Sequence, residues 1–412
     1  MLRLHHRRVA LTAMMMVALT ACAGSIIDPR DSLPPPRALT ADEIAISDAS
    51  TGFGFELLRR VHAAAEEPNV LLSPLSASMA LGMAMNGATG ETYAAMKATL
   101  GFGGMSEEEV NLAYRGLIDQ LRVRDRNVEF RLANSAWLRE GFPFEQAFLD
   151  AARTYFDAEV ESLDFGDPGS PRIINEWVDD VTGGRITEIV DQIDPLDILF
   201  LVNAVYFRAP WSSPFEPLMT HPAQFHTIDG RTVTVPTMGK DGAVSLHQDD
   251  EVVVVDLPYA EGDFSMTIIM PAVGRSIDDL IDELTPERWT AWTGQFAQGR
   301  VILRLPKFKF EFDEQLVPAL AEMGMGRAFD ANLAEFDRIT TARNDVYISA
   351  VRQAAYIDVH ELGTEAAAAT SVTVGVTSMP PEIRIDRPFV FAIRARESNT
   401  LLFLGRVGDP SS

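Results

Sequence analysis

The sequence predicts an α+β protein whose helices come first and whose strands follow, in separate layers. Apolar residues recur at helical spacing in the first quarter of the chain. Between about residues 200 and 310 they come instead in short runs, the last of which alternates with a period of two. After residue 45 there is no linker-like, repetitive or low-complexity stretch, so one large domain is the simplest count. At 47% hydrophobic, the body is large enough to be held together by burial alone.

Taken in order, Phe55, Leu58, Val61 and His62 suit an amphipathic helix running from Thr51. A second helix is expected after Ser73-Pro74, with Ser as the cap and Pro in the first turn. Its Met79, Leu81, Met83 and Met85 read as core packing rather than a cofactor-facing stripe. Phe200–Phe207, Glu251–Leu257, Phe264–Met270 and Val301–Phe310 read as strands. The last alternates Val301, Leu303 and Leu305 against Ile302, Arg304 and Pro306.

The segment Glu361–Pro381 fits neither class. From Ala366 to Pro381 it has no charge, in a chain that is 23% charged. Thr364, Ala366, Ala368, Thr370, Val372 and Val374 form one face at a period of two; Glu365, Ala367, Ala369, Ser371, Thr373 and Gly375 form the other. Pro380 and Pro381 then stop a central strand. The segment has the pattern of a strand and the terminators of a loop, which suggests two resting places.

The amino terminus is basic, with Arg3, Arg7 and Arg8, and continues as an apolar run from Val9 to Leu19. That run is too short for a permanent span, so residues 1–21 are expected to be a removable signal peptide. Leu19-Thr-Ala-Cys22 looks like a bacterial lipobox, and Cys22 is the only cysteine. Cys22 is therefore expected to carry the lipid, with Ala23 favouring the outer membrane of the cell envelope. The Arg7-Arg8 pair has poor flanks for twin-arginine export. Residues 22–45, with Pro34-Pro-Pro36, read as a lipidated tether, and residues 46–412 as the body.

The formal charge is −24, and loss of the signal peptide, with three arginines and no acid, takes it to about −27. Nucleic acid is thereby disfavoured as a partner. No catalytic constellation is present: there is no Gly-x-Ser-x-Gly elbow and no phosphate-cradling glycine loop. His360-Glu361 lacks the second histidine of a zinc-protease helix. His221 and His226 read as a solvated loop pair rather than metal ligands. No cofactor is expected, and the protein is read as a non-enzyme.

Glu361-Leu-Gly-Thr-Glu-Ala-Ala-Ala-Ala-Thr370 resembles the reactive-loop hinge of the serpins. Asn69-Val-Leu-Leu-Ser-Pro-Leu-Ser76, Leu132-Ala-Asn-Ser-Ala-Trp137, Ile174-Asn-Glu-Trp-Val178 and Thr182-Gly-Gly-Arg-Ile186 follow the family's order. So do Leu201-Val-Asn-Ala-Val-Tyr-Phe207, Leu257-Pro-Tyr259, Leu305-Pro-Lys-Phe308, Asp386-Arg-Pro-Phe-Val-Phe391 and Leu402-Phe-Leu-Gly-Arg406. The resemblance implies a serpin fold of about nine helices around three β-sheets, with an exposed reactive-centre loop. It also implies an irreversible inhibitor of serine proteases that presents its loop to the target as a substrate, forms a covalent acyl-enzyme and acts as a monomer. Alternatives are a non-inhibitory binding or chaperone module, or an inhibitor of papain-like cysteine proteases.

By family spacing the reactive bond joins Thr377 to Ser378. A small β-branched residue there favours elastase-like or subtilisin-like targets over trypsin-like ones. The hinge comprises Glu361, Gly363, Thr364, Glu365, Ala366, Ala367, Ala368 and Ala369, with Thr364, Ala366 and Ala368 facing inward. Glu365 falls on the outward face, where it need not be buried. Ser73, Ser76 and Asn203 match a polar shutter beneath the opening sheet, and Gln353 stands where the family commonly has His. Trp211 matches the aromatic at the top of the sheet. Lys307 and Glu361 match a hinge salt bridge, and Leu362 replaces a frequent acid.

Overall fold

The computed structural model describes residues 37–340, 346–365 and 380–412. Nine α-helices lie among them: α1 (Ala41–Ala64), α2 (Pro74–Met85), α3 (Gly90–Thr99), α4 (Glu107–Val123), α5 (Gln146–Phe156), α6 (Ser170–Thr182), α7 (Ile277–Asp282), α8 (Pro286–Gly294) and α9 (Val317–Leu320). The first eight strands are β1 (Asn69–Leu72), β2 (Glu129–Arg139), β3 (Glu159–Leu163), β4 (Leu199–Pro210), β5 (Glu216–His226), β6 (Thr232–Gln248), β7 (Val252–Tyr259) and β8 (Phe264–Pro271). The rest are β9 (Ala297–Pro306), β10 (Phe308–Gln315), β11 (Val351–His360), β12 (Gly363–Thr364), β13 (Glu382–Arg384), β14 (Phe389–Ala395) and β15 (Leu401–Val407).

Helix α1 starts ten residues before the expected Thr51 and takes in residues 41–45 of the expected tether. The cause is local. Thr40 accepts a hydrogen bond from the Glu43 amide, Glu43 accepts one from the Thr40 amide, and Arg37 pairs with the Glu43 carboxylate at 2.5 Å. Helix α2 is buried along its whole length, methionines included. Ser73 occupies its N-cap position, yet the hydroxyl donates to the Leu402 carbonyl at 2.6 Å instead of capping the helix.

The strands make two hydrogen-bonded sheets among the described residues. The larger runs β1-β15-β14-β8-β7-β6-β9-β13, with β5 also on β6. Its long strand β6 bonds β5 with its first part and β7 with its last, so the sheet has two limbs and reads as two of the three expected layers. The six-stranded sheet runs β10-β11-β12-β4-β2-β3. The expected strand Val301–Phe310 is two strands: β9 ends at Pro306 in the larger sheet, and β10 starts at Phe308 in the smaller one. One more bond follows Pro306, from the Lys307 amide to the Pro236 carbonyl at 2.9 Å, and Pro236 has no amide hydrogen to return it.

The six-stranded sheet has apolar packing on both faces. Leu201, Val205, Phe207, Ala355, Ile357 and Val359 face the main core, with α1 and α2 beyond. On the other face Phe200, Val202, Ala204, Ala354 and Tyr356 meet Ile174 and Val178 of α6. Thus β4 and β11 are sealed on both sides, and their common seam lies in the interior of the protein.

Candidate functional site

Strands β11 and β4 are direct parallel neighbours from Val351 opposite Leu201 to Ala355 opposite Val205. Above that point they part, and β12 sits between them. Gly363 and Thr364 pair with His360 and Val359 of β11 on one side, and with Pro210 and Ala209 of β4 on the other. The chain reaches this position through the tight turn Glu361-Leu362. Gly363 has φ 155°, in a region that glycine enters readily.

Trp211 closes the top of the seam. Its backbone amide donates to the Leu362 carbonyl at 2.9 Å and its indole Nε1 to the His360 carbonyl at 3.0 Å. The ring stacks on Tyr259 at 4.4 Å, and the Tyr259 hydroxyl lies 2.7 Å from Thr364 Oγ1. Thr364 is 2% exposed and faces the main core, the side expected of it. Burial pushes the Tyr259 phenol well above its ordinary pKa, so it stays a neutral partner for that hydroxyl.

Lys307 Nζ lies 3.0 Å from Glu361 Oε2, and the Thr220 hydroxyl donates to Oε1 at 2.9 Å. Burial alone would raise the Glu361 pKa. Hydrogen bonds from its own backbone, Lys307 and Thr220 outweigh this and hold it below the ordinary carboxylate range. Leu362 is half-buried and leaves its amide to His360 Nδ1, 3.3 Å away.

Glu365 departs from expectation. It does point to the outer face of the sheet, opposite to Thr364, but that face is not open to solvent there. Its side chain is 4% exposed, and Arg185 Nε lies 2.8 Å from its carboxylate. Burial and the nearby Glu365 carboxylate push the Tyr206 hydroxyl up to about 12, and burial with the Asp358 and Glu365 carboxylates raises that of Tyr356. Arg208 Nε donates to the Glu365 carbonyl at 2.5 Å. The backbone of Glu365 has φ 53°, a left-handed conformation uncommon for a residue with a side chain.

Beneath the hinge, the four expected polar residues fall into two groups. Gln353 binds the Ser73 backbone twice, accepting from its amide at 2.8 Å and donating to its carbonyl at 3.1 Å. Ser76 donates to Asn203, and Asn203 donates to Asn134 Oδ1 at 2.7 Å. Gln353 and Asn203 are register partners across the seam, yet each side chain bonds away from it. Asn134, Arg185 and Tyr259 all lie inside motifs noted in the sequence, without a role assigned there; Tyr206 lies in another.

On the far side of the loop, the Ile302 amide donates to the Pro381 carbonyl at 2.9 Å, and β13 pairs with β9 in the larger sheet. The fourteen residues 366–379 therefore join two different sheets. Ala366, Ala367, Ala368, Ala369, Thr377 and Ser378 fall in that stretch and so lie outside the described residues; Cys22, near the amino terminus, lies outside them too. His221 and His226 lie on strand β5 rather than in a loop, pairing with Thr237 and Thr232.

The comparisons with known proteins point one way. The family model described as Serpin (serine protease inhibitor) matches residues 48–410. Serpin A3-3 of Bos taurus is 32% identical over 390 residues, which cover 93% of each chain. The native state of tengpin, a thermophilic serpin, superposes with a TM-score of 0.82 at 29% identity, covering 92% of this chain and 98% of that one. Human thyroxine-binding globulin gives a TM-score of 0.83 at 29% identity, covering 90% of this chain and 100% of that one.

Proposed function

The chain belongs to the serpin family, whose members are generally protease inhibitors rather than enzymes, and from that premise we propose that it is a suicide-substrate inhibitor of elastase-like or subtilisin-like serine endopeptidases. The observation that carries this reading is strand β12: two residues of the hinge already occupy the place of a new central strand between β11 and β4. Directly below, the two flanking strands are paired to one another and would have to separate for that strand to lengthen.

In the proposed mechanism the target's serine attacks the Thr377 carbonyl carbon. An ester to Thr377 forms, and the amine of Ser378 leaves. The cut frees the arm beginning at Gly363 from its tie to β13. The arm then extends β12 downward, with Ala366 and Ala368 following Thr364 onto the core face. Small uncharged side chains lower the desolvation resistance to that entry. The esterified protease is carried along and distorted before water reaches the ester.

A stoichiometric assay tests this. Incubation with pancreatic-type elastase and with subtilisin should give inhibition near one to one and an adduct that survives boiling in detergent. Cleavage at residue 377 without any adduct, for every such enzyme, would overturn the inhibitor reading. A second reading, a ligand-carrying member, is favoured by the likeness to thyroxine-binding globulin. It predicts little change in heat stability when the loop is cut.

We also propose that Cys22 bears the lipid that ties the protein to the cell envelope. In a lipidating bacterial host, Cys22→Ser should abolish incorporation of labelled fatty acid and release the protein from the membrane fraction. Incorporation unchanged in that variant would remove the anchor.

A further inference from the structure

Among the motifs in the sequence, Thr182-Gly-Gly-Arg-Ile186 has no part in the mechanism above. Its geometry has one outcome. Gly183 and Gly184, at φ 65° and 79°, end helix α6 in left-handed conformations and reverse the chain. The Thr182 hydroxyl accepts a hydrogen bond from the Ile186 amide at 3.1 Å and fixes the returning strand of the turn. Between them Arg185 is set over the outer face of the six-stranded sheet, 5.7 Å from the Tyr356 ring centre and 2.8 Å from the Glu365 carboxylate.

We propose that Arg185 and Glu365 form a latch that holds the hinge two residues deep in the six-stranded sheet and arrests it there. Arg185 is thus a positioning residue for the reactive loop. Three features carry this. The Glu365 side chain is nearly enclosed, and a carboxylate so placed is stable only while its charge is compensated. Glu365 is also where the chain turns out of β12, in a left-handed backbone conformation that a continuing strand could not keep. Finally, Arg208 fixes the Glu365 carbonyl from β4, so the residue is tied to the sheet by its backbone and to the α6 turn by its side chain.

The two partners have different effects when removed. Without Arg185, the buried carboxylate is left uncompensated, and the hinge is driven out of the sheet to hydrate it. Without the Glu365 carboxylate the side-chain tie is lost, but no buried charge drives the hinge out.

Hydrogen exchange of the full chain, with no protease present, tests the latch. Arg185→Gln should speed exchange at the amides of residues 363–365 by about tenfold or more. Glu365→Ala should speed it less, because the tie is lost without leaving a buried charge, and the double variant should exchange as Glu365→Ala alone does. Arg185→Lys, which keeps the charge, should stay close to the unaltered protein. Unchanged exchange in Arg185→Gln would overturn the latch, as would a double variant as fast as Arg185→Gln. The effect on the inhibitor rests on the function proposed above, but the exchange measurement does not, so either can fail without the other.

Discussion

Gln353 shows how one side chain changes the pH response of a sheet. Its amide donates to and accepts from the Ser73 backbone, a pair of bonds that a neutral imidazole cannot reproduce from one ring nitrogen. Gln353→His should therefore cost about 1 kcal/mol near neutral pH, the worth of a hydrogen bond. Burial would also depress the imidazole pKa in the folded state. The unfolded chain would then bind the extra proton, and stability would fall further as pH drops through about 6.5. Heat unfolding of the two proteins from pH 8 to 5 should show a gap that widens toward acid. Lys240 gives the same sign in an alkaline window. Burial lowers its pKa to about 8 from an ordinary 10.5, while its Nζ donates to the Ser213 carbonyl at 2.6 Å. Between those two values the unfolded chain keeps a proton that the folded protein has released, so this group's contribution to stability rises with pH over that window. Lys240→Met should lack that rise when the two melting curves are compared at pH 8 and pH 10. The Lys307–Glu361 pair, with Lys307 38% exposed, is a weaker element, and Lys307→Met should change stability by ~1 kcal/mol at most.

For a single element, the informative one is β12, only two residues long. It is held on both edges by backbone pairing and at its core face by the contact between Thr364 and Tyr259. A charge at residue 364 would have to enter a site that is 2% exposed and backed by aromatic rings. Thr364→Arg should cost several kcal/mol for insertion, which slows the arm relative to deacylation. The expected result is a change from inhibitor to substrate: the adduct band disappears, and several molecules are cut per protease inhibited. An unaltered stoichiometry would show that the burial of residue 364 does not limit the extension of β12. Lower down, Gln353 and Asn203 do not bond to each other, but both are tied to the start of α2 through Ser73 and Ser76, so parting β4 from β11 has to strain or break one of those ties as well as the backbone pairs.

Across the whole molecule, the loop joins strands that belong to two different sheets. While residues 363–365 and 381–384 are both fixed, the arm cannot extend down the seam. Cutting one bond removes that constraint. The cleaved protein should gain a central strand and its ladder of hydrogen bonds on both edges. A rise in Tm of more than about 10 °C is expected, since each kcal/mol moves Tm by roughly 2–4 °C in domains of 150–250 residues and less in larger ones. Calorimetry before and after limited cleavage in the loop would measure it. A rise near zero would favour the ligand-carrying reading.

The apolar pattern located β4, β7 and β8 to within a few residues, because a short unbroken apolar run is a local record of a strand buried on both faces. It missed the first ten residues of α1, where a capping box at Thr40–Glu43 rather than an apolar stripe defines the helix. It also joined β9 to β10, because both are apolar and only the break at Pro306-Lys307 marks a change of sheet. The inward direction of Thr364 was legible from the period of two along the hinge. The environment of Glu365 was not: alternation assigns a residue to a face, but it cannot say what covers that face. By itself the sequence determined the family, the order of the elements and the strand-like pattern of the hinge, all properties of neighbours along the chain. Only the tertiary structure decided that β12 is already seated between β11 and β4 and that Arg185, 180 residues earlier, encloses Glu365. Contacts between residues so far apart depend on how the layers pack, and no local pattern encodes them.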